Sequence, residues 1–145
     1  MRIALGADHA GVHLKQAIRQ LLDERGVAYT DFGTNSVESV DYPDFAATVA
    51  DDVAQHRSDF GILLCGSGIG MAIAANKIAG IRAAAVVDEA SARLSREHND
   101  ANVLALGERL TSVDQARQIV SAFLDTPFAG GRHQRRVDKI SALER

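Results

Sequence analysis

The sequence is poor in the features that mark secreted, membrane-bound or linker-rich chains. It has one cysteine, two prolines and no tryptophan in 145 residues. One cysteine cannot close an internal disulfide, so a reducing cytoplasm is the expected setting. No apolar stretch approaches the length of a membrane span, and the first residues lack a signal-peptide pattern, so no membrane partner is expected. The formal net charge is only −3 and the charges are scattered, which gives no electrostatic case for nucleic acid. One cysteine and five dispersed histidines do not make a metal-ligand spacing, so neither a metal nor a cofactor is expected. The length suits one domain over residues 1–145 and is short for two.

What the sequence does have is concentrated in Gly61–Lys77, GILLCGSGIGMAIAANK. Ile62, Leu63 and Leu64 form a continuous apolar run, the pattern of a strand covered on both faces. Gly66, Gly68 and Gly70 then remove the side chains that would obstruct a sharp turn or a ligand lying against the backbone. After Gly70, Met71–Ala75 favours helix. A glycine turn leading from strand to helix N-terminus aims several N–H groups at one spot, which suits an anion or a developing oxyanion. Cys65 and Ser67 flank that spot. The spacing is neither the G-x-G-x-x-G dinucleotide pattern nor a P-loop, because the Lys-Ser/Thr pair is missing.

Around this stretch, apolar and helical patterns alternate. Met1–Ala7 reads as a first strand, and Leu14, Ala17, Ile18, Leu21 and Leu22 line one face of a helix that Gly26 stops. Val27–Phe32 reads as a second strand and Gly33–Asp41 as a polar loop. Pro43 sits at the start of a helix carrying Phe45, Ala46, Val49, Ala50 and Val53. Phe60–Cys65, Ile81–Val87 and Val103–Leu106 complete the strands. Glu89–Glu97 is helical with a weak apolar stripe, and Ala116, Ile119, Val120, Phe123 and Leu124 mark another helix, capped by Thr111 or Ser112. Gly130-Gly131 precedes a basic helix from about Arg132 to Leu143. The expected fold is α/β, a Rossmann-like doubly wound sheet of about five parallel strands with a C-terminal helix. In such sheets ligands gather beyond the carboxyl ends of the strands, where Asp8-His9, Cys65–Gly70 and Gly107–Arg109 all fall.

Each candidate also has an ordinary structural reading. A free cysteine is often a small buried hydrophobe, but a glycine turn and a helix N-terminus favour its thiolate. Ser67 can cap the next helix or act as the hydroxyl of the turn. Asp8 and His9 can be a plain loop pair or site residues. His98 and Asn99 suit a helix C-terminus, where histidine is electrostatically welcome and asparagine tolerates the left-handed conformation. Arg132 and Arg136, four apart on one helical face, form either a solvated basic surface or a phosphate site, and Arg109 after a strand is a further candidate.

Five blocks carry a resemblance. GADHAG at 6–11, DYPDFA at 41–46, ILLCGSGIGMAIAANKIAGIRAA at 62–84, LSREHNDANVLALGER at 94–109 and GGRHQRRVDKI at 130–140 together resemble the type B ribose-5-phosphate isomerases, a family that includes the galactose-6-phosphate isomerase subunits. The resemblance spans nearly the whole chain. It implies a metal-independent aldose–ketose isomerase that interconverts ribose 5-phosphate and ribulose 5-phosphate through a cis-enediolate. It implies Cys65 as the base, the N–H groups of Gly66, Gly68, Ile69 and Gly70 as the anion hole, and Ser67 as an aid to proton movement. Asp8 and His98 match positions linked with ring opening, and Asn99 matches a substrate contact. His9, Arg109, Arg132 and Arg136 match the phosphate set. It further implies a homodimer, sometimes a tetramer, with its site at the subunit interface, so that His98, Asn99 and Arg109 serve the neighbour's Cys65. Ser67 stands where several relatives have threonine, which keeps the hydroxyl. Met71 stands where another branch has a catalytic glutamate and no cysteine, so this chain resembles the thiolate branch.

Two other readings stand beside this one. The same chemistry can act on a tetrose phosphate, allose 6-phosphate or galactose 6-phosphate. A non-catalytic phosphate-binding module is the alternative from another class, and it leaves Cys65 without a task.

Overall fold

Five short apolar segments, each followed by an amphipathic one, assemble into one parallel sheet. The computed structural model describes residues 1–144. The strands are β1 (Arg2–Ala7), β2 (Ala28–Asp31), β3 (Phe60–Cys65), β4 (Ala83–Ala85) and β5 (Val103–Gly107). The helices are α1 (Val12–Glu24), α2 (Tyr42–Ala54), α3 (Ile69–Ala75), α4 (Glu89–Asn99), α5 (Val113–Asp125) and α6 (Arg132–Ser141). The strand order is β2-β1-β3-β5-β4, parallel throughout. This is the expected doubly wound α/β fold. No helix of the described residues is long and apolar enough to cross a membrane.

Alternation along the strands decides which helix packs where. Ile3, Leu5, Ile62, Leu64, Leu104 and Leu106 face one side, where they meet Leu14, Ile18 and Leu22 of α1 and Ile119, Val120 and Phe123 of α5. Ala4, Leu63, Cys65, Val103 and Ala105 face the other, against Val49 and Val53 of α2 and Met71 and Ala75 of α3. The second face is built of smaller residues, and α2 lies close to it: a Cβ on Gly6 or Gly61 would stand 2.8 Å from a Val49 methyl. Burying each of the large aliphatic side chains contributes roughly 1.5–3 kcal/mol, so the two-sided core explains why the strands read as unbroken apolar runs.

The chain steps from β1 outward to β2 with α1 on one face, then returns past β1 to β3 with α2 on the other. The crevice between β1 and β3 is therefore a switch point, open at their carboxyl ends. Asp8 and Gly66 are the first residues beyond those two strands.

Some boundaries differ from the sequence reading. The fourth strand is only Ala83–Ala85 rather than Ile81–Val87, because it pairs with β5 alone and Val87 is exposed at the sheet edge. Helix α3 begins at Ile69, ahead of Gly70, with Gly68 in the left-handed conformation (φ 79°) as its N-cap. Helix α6 ends at Ser141, slightly short of Leu143. Other signals hold as expected. Gly26 follows α1 at φ 66°, Pro43 lies in the first turn of α2, and Ser112 with Gln115 forms a capping box on α5.

Candidate active site

The turn after β3 folds back over β5. Cys65 is in register with Gly107, and the ladder continues as Glu108 N–H donates to the Cys65 carbonyl at 2.9 Å and Arg109 N–H to the Gly66 carbonyl at 3.1 Å. Only a glycine fits at 107, because a Cβ there would stand 2.4 Å from the Ser67 Cα. On the other side Asp8 N–H donates to the Leu64 carbonyl at 3.1 Å, which brings the end of β1 alongside. Gly11 lies so close that a Cβ would stand 2.3 Å from the Leu64 carbonyl oxygen. Three chain segments thus converge on one turn.

Their side chains line a cavity of about 530 Å³ formed by Asp8, His9, Tyr42, Cys65, Ser67 and Arg109 among others. Cys65 is 4% exposed and lies at its floor, so the sulfur is shielded without being sealed in the core. The Gly68 N–H donates to its Sγ at 3.0 Å, a bond that strengthens when the sulfur carries charge. Ile69 N–H donates to Ser67 Oγ at 3.3 Å, so the serine both helps cap α3 and opens onto the cavity. Among the described residues the Ser67 and Gly70 N–H groups take no acceptor in the protein. Asp8 is buried and accepts the Ala10 N–H at 2.9 Å, which fixes the carboxylate at the cavity wall. Val40 N–H donates to His9 Nδ1 at 3.1 Å, so the neutral imidazole carries its proton on Nε2. The arrangement offers a shielded thiol, free backbone donors beside it, a carboxylate, and a cation at the rim. That set can remove a proton from carbon while holding charge on oxygen.

Arg109 belongs to this set, but in its own chain. Its guanidinium lies over Gly66, where a Cβ would stand 3.1 Å from one terminal nitrogen. The register of β3 and β5 places the residue two beyond Gly107 beside Gly66 of the same chain, where it lines the cavity with Cys65. The remaining candidates lie elsewhere. His98, at the end of α4, stacks on His133 of α6 with ring centroids 4.2 Å apart and planes at 14°. Arg132 and Arg136 flank that pair on α6 and are exposed. Asn99 lines a separate groove of about 450 Å³ with Ile81, Ile140 and Leu143. None of these four lines the cavity over Cys65 within one chain.

The His98–His133 stack has an electrostatic consequence. Partial desolvation, then the electrostatic influence of the neighbouring His98, Arg132 and Arg136, hold the His133 pKa below the ordinary histidine value.

Tyr42 is the residue that the sequence reading missed. Its ring rests where a Gly70 side chain would be, with a Cβ there only 2.5 Å from the ring edge, and the residue lines the cavity. The available signal was an aromatic just ahead of Pro43, at the helix start that follows the loop from the second strand.

Comparison with known proteins places this geometry. The profile of the Ribose/Galactose Isomerase family matches residues 3–140. The chain belongs to that family. Among its relatives, the ribose-5-phosphate isomerase B of Escherichia coli is 52% identical over 143 residues, which cover 99% of this chain and 96% of that protein. The D-erythrulose-4-phosphate isomerase of Pectobacterium atrosepticum is 43% identical, covering 99% of this chain and 95% of its own. The solved structure of Clostridium thermocellum ribose-5-phosphate isomerase B superposes with a TM-score of 0.97 at 52% identity, covering 99% and 97% of the two chains. The relatives of this chain thus include proteins named for different sugar phosphates.

Proposed function

We propose that this protein is an aldose–ketose isomerase that interconverts D-ribose 5-phosphate and D-ribulose 5-phosphate. The observation that carries the reading is the Cys65 sulfur, at the floor of the cavity, bonded to the Gly68 N–H and flanked by free main-chain donors. The Cys65 thiolate removes the proton from C2 of the open-chain aldose, and the electron pair moves to the carbonyl oxygen to give a cis-enediolate. Free N–H groups of the Gly66–Gly70 turn, those of Ser67 and Gly70 among them, hold the developing charge while the Gly68 N–H stays on the sulfur, so base and anion hole act in the same step. Ser67 relays a proton between O1 and O2. Return of the carbon-bound proton from Cys65 to C1 completes the ketose.

Asp8 and His98 open the furanose ring, and Asn99 contacts the sugar. His9, Arg109, Arg132 and Arg136 hold the phosphate, whose binding energy orients the reacting carbons. The distribution of these residues favours a homodimeric site. Asp8, His9, Cys65, Ser67 and Arg109 share one cavity, whereas His98, Asn99, Arg132 and Arg136 lie outside it. Exposed Ile69 and Ile73, one turn apart on α3 at the cavity edge, supply apolar surface for a second copy to cover. Association across that edge lets the partner's second group complete the first.

A second reading keeps the chemistry and changes the sugar, and the similarity to a D-erythrulose-4-phosphate isomerase favours a tetrose phosphate as the alternative. One experiment addresses both. In D₂O the protein incorporates solvent deuterium into ribulose 5-phosphate and ribose 5-phosphate, read by NMR, and kcat/KM is highest for the pentose among tetrose, pentose and hexose phosphates. Cys65→Ala remains folded and loses about 10³-fold in kcat, within the range of a removed general base. An active Cys65→Ala removes the thiolate mechanism, and a large preference for another sugar replaces the substrate.

A further inference from the structure

Lys15 is an unusual residue for its place. It follows Leu14 on the buried side of α1 and is completely inaccessible to solvent (0% exposed). A buried ammonium is costly unless every donor is matched and its charge is compensated. Here the three donors are matched. Nζ donates to Asp31 Oδ1 at 2.8 Å, to the Thr34 carbonyl at 2.5 Å and to Asn35 Oδ1 at 2.6 Å. Asp31 Oδ1 also accepts the Gly33 N–H at 2.8 Å, and its other oxygen lies 3.3 Å from Arg19.

All these partners belong to the end of β2 or to the loop that leaves it. The ammonium therefore ties α1 to the base of the segment between β2 and α2. The same base is tied to the end of β1: Ala7 N–H donates to the Gly33 carbonyl and Thr34 N–H to the Ala7 carbonyl, both at 2.6 Å. Beyond it, residues 35–39 are exposed and contain no helix or strand. The far end then reaches the cavity twice, through the Val40 N–H on His9 Nδ1 and through Tyr42 against Gly70.

We infer that Lys15 is a positioning residue of the active site: by clamping Thr34 and Asn35 it sets the path of the loop whose Val40 orients His9. The His9–Val40 bond leaves Nε2–H as the donor facing ligand, as an outer partner fixes a ring in other histidine sites. The consequence for substrate rests on the proposed phosphate role of His9, and the placement of Val40 does not.

The test uses the full-length protein with Lys15→Met and Asn35→Ala, followed by amide hydrogen exchange and steady-state kinetics. Protection of the Val40 amide is expected to fall about 10-fold in both variants while core amides such as Leu63 keep theirs, the sign of local rather than global opening. KM for ribose 5-phosphate is expected to rise about 10-fold in Lys15→Met and about 3-fold in Asn35→Ala, with kcat within about 2-fold, as for lost binding common to ground and transition states. Unchanged Val40 protection in a folded variant overturns the inference, whatever KM does. Loss of Val40 protection with an unchanged KM upholds it and removes His9 from the phosphate set. Should Lys15→Met fail to fold, Asn35→Ala, altered at an exposed loop position, decides by the same two readings.

Discussion

Cys65 and Gly107 are paired across β3 and β5, and the space that a side chain at 107 would fill is taken by the backbone of Ser67. The position of the thiol's turn is thereby set by an absent side chain on the neighbouring strand. Gly107→Ala would place its Cβ 2.4 Å from the Ser67 Cα and 2.7 Å from the Gly66 carbonyl oxygen. The obstacle is backbone, so the turn must move. Gly107→Ala is expected to destabilise the protein by about 1–3 kcal/mol, as overpacking does. Urea denaturation measures that loss, and kcat/KM should fall by a larger factor than the same assay shows for Gly26→Ala, a site with open space around it.

Division of the candidate residues into two groups on one chain leads to a complementation experiment. Cys65→Ala and His98→Ala are each expected to be nearly inactive on ribose 5-phosphate. Mixed and re-associated, they should recover about a quarter of wild-type activity, because half the dimers are mixed and each holds one intact site under two-fold symmetry. Recovery near zero in a mixture shown by mass spectrometry to contain mixed dimers would place His98 and Cys65 in separate functions.

The depressed pKa of His133 gives a pH dependence with a definite sign. In the folded protein the ring resists protonation through its partial desolvation and its cationic neighbours. The unfolded chain therefore binds the proton more readily, and the contribution to stability is present above the ordinary histidine value of 6.5 and lost as pH falls through the lower folded value. Glu97 opposes the shift but does not reverse it. Amide exchange in α6 should accelerate relative to α5 between pH 7.5 and about 5, the span of histidine titration. His133→Gln should flatten that difference.

The fold and the thiol turn were legible because local signals and tertiary packing agree. Strand runs such as Ile62–Leu64 are apolar on both faces only because helices cover both, and the helical stripes name the faces that do the covering. Glycine at alternate positions after a strand marks a backbone that must approach something closely, and Cys65 and Ser67 stand beside it in the chain. What lies beside the turn in space was harder to read. Arg109 is 44 residues from Cys65 in number but adjacent through the β3–β5 register, which no periodicity announces. Tyr42 has the signature of a helix start, and only the close approach of Gly70 shows that its ring faces the cavity.

Lys15 and Arg96 show the same limit from the other side. By composition each is a surface charge, yet Lys15 is saturated by the end of β2 and the loop after it, 16–20 residues away, and Arg96 lies 4.8 Å over the Phe60 ring while bonding the Ala101 and Thr126 carbonyls. Burial of a charge depends on partners brought from distant segments, whereas the preference of a segment for strand or helix depends on its own side chains. Thus the order of elements, the sheet class and the reactive turn follow from the chain read alone. Which polar groups meet, which turn Arg109 lies beside and what holds the loop over His9 were decided only when the strands took their register.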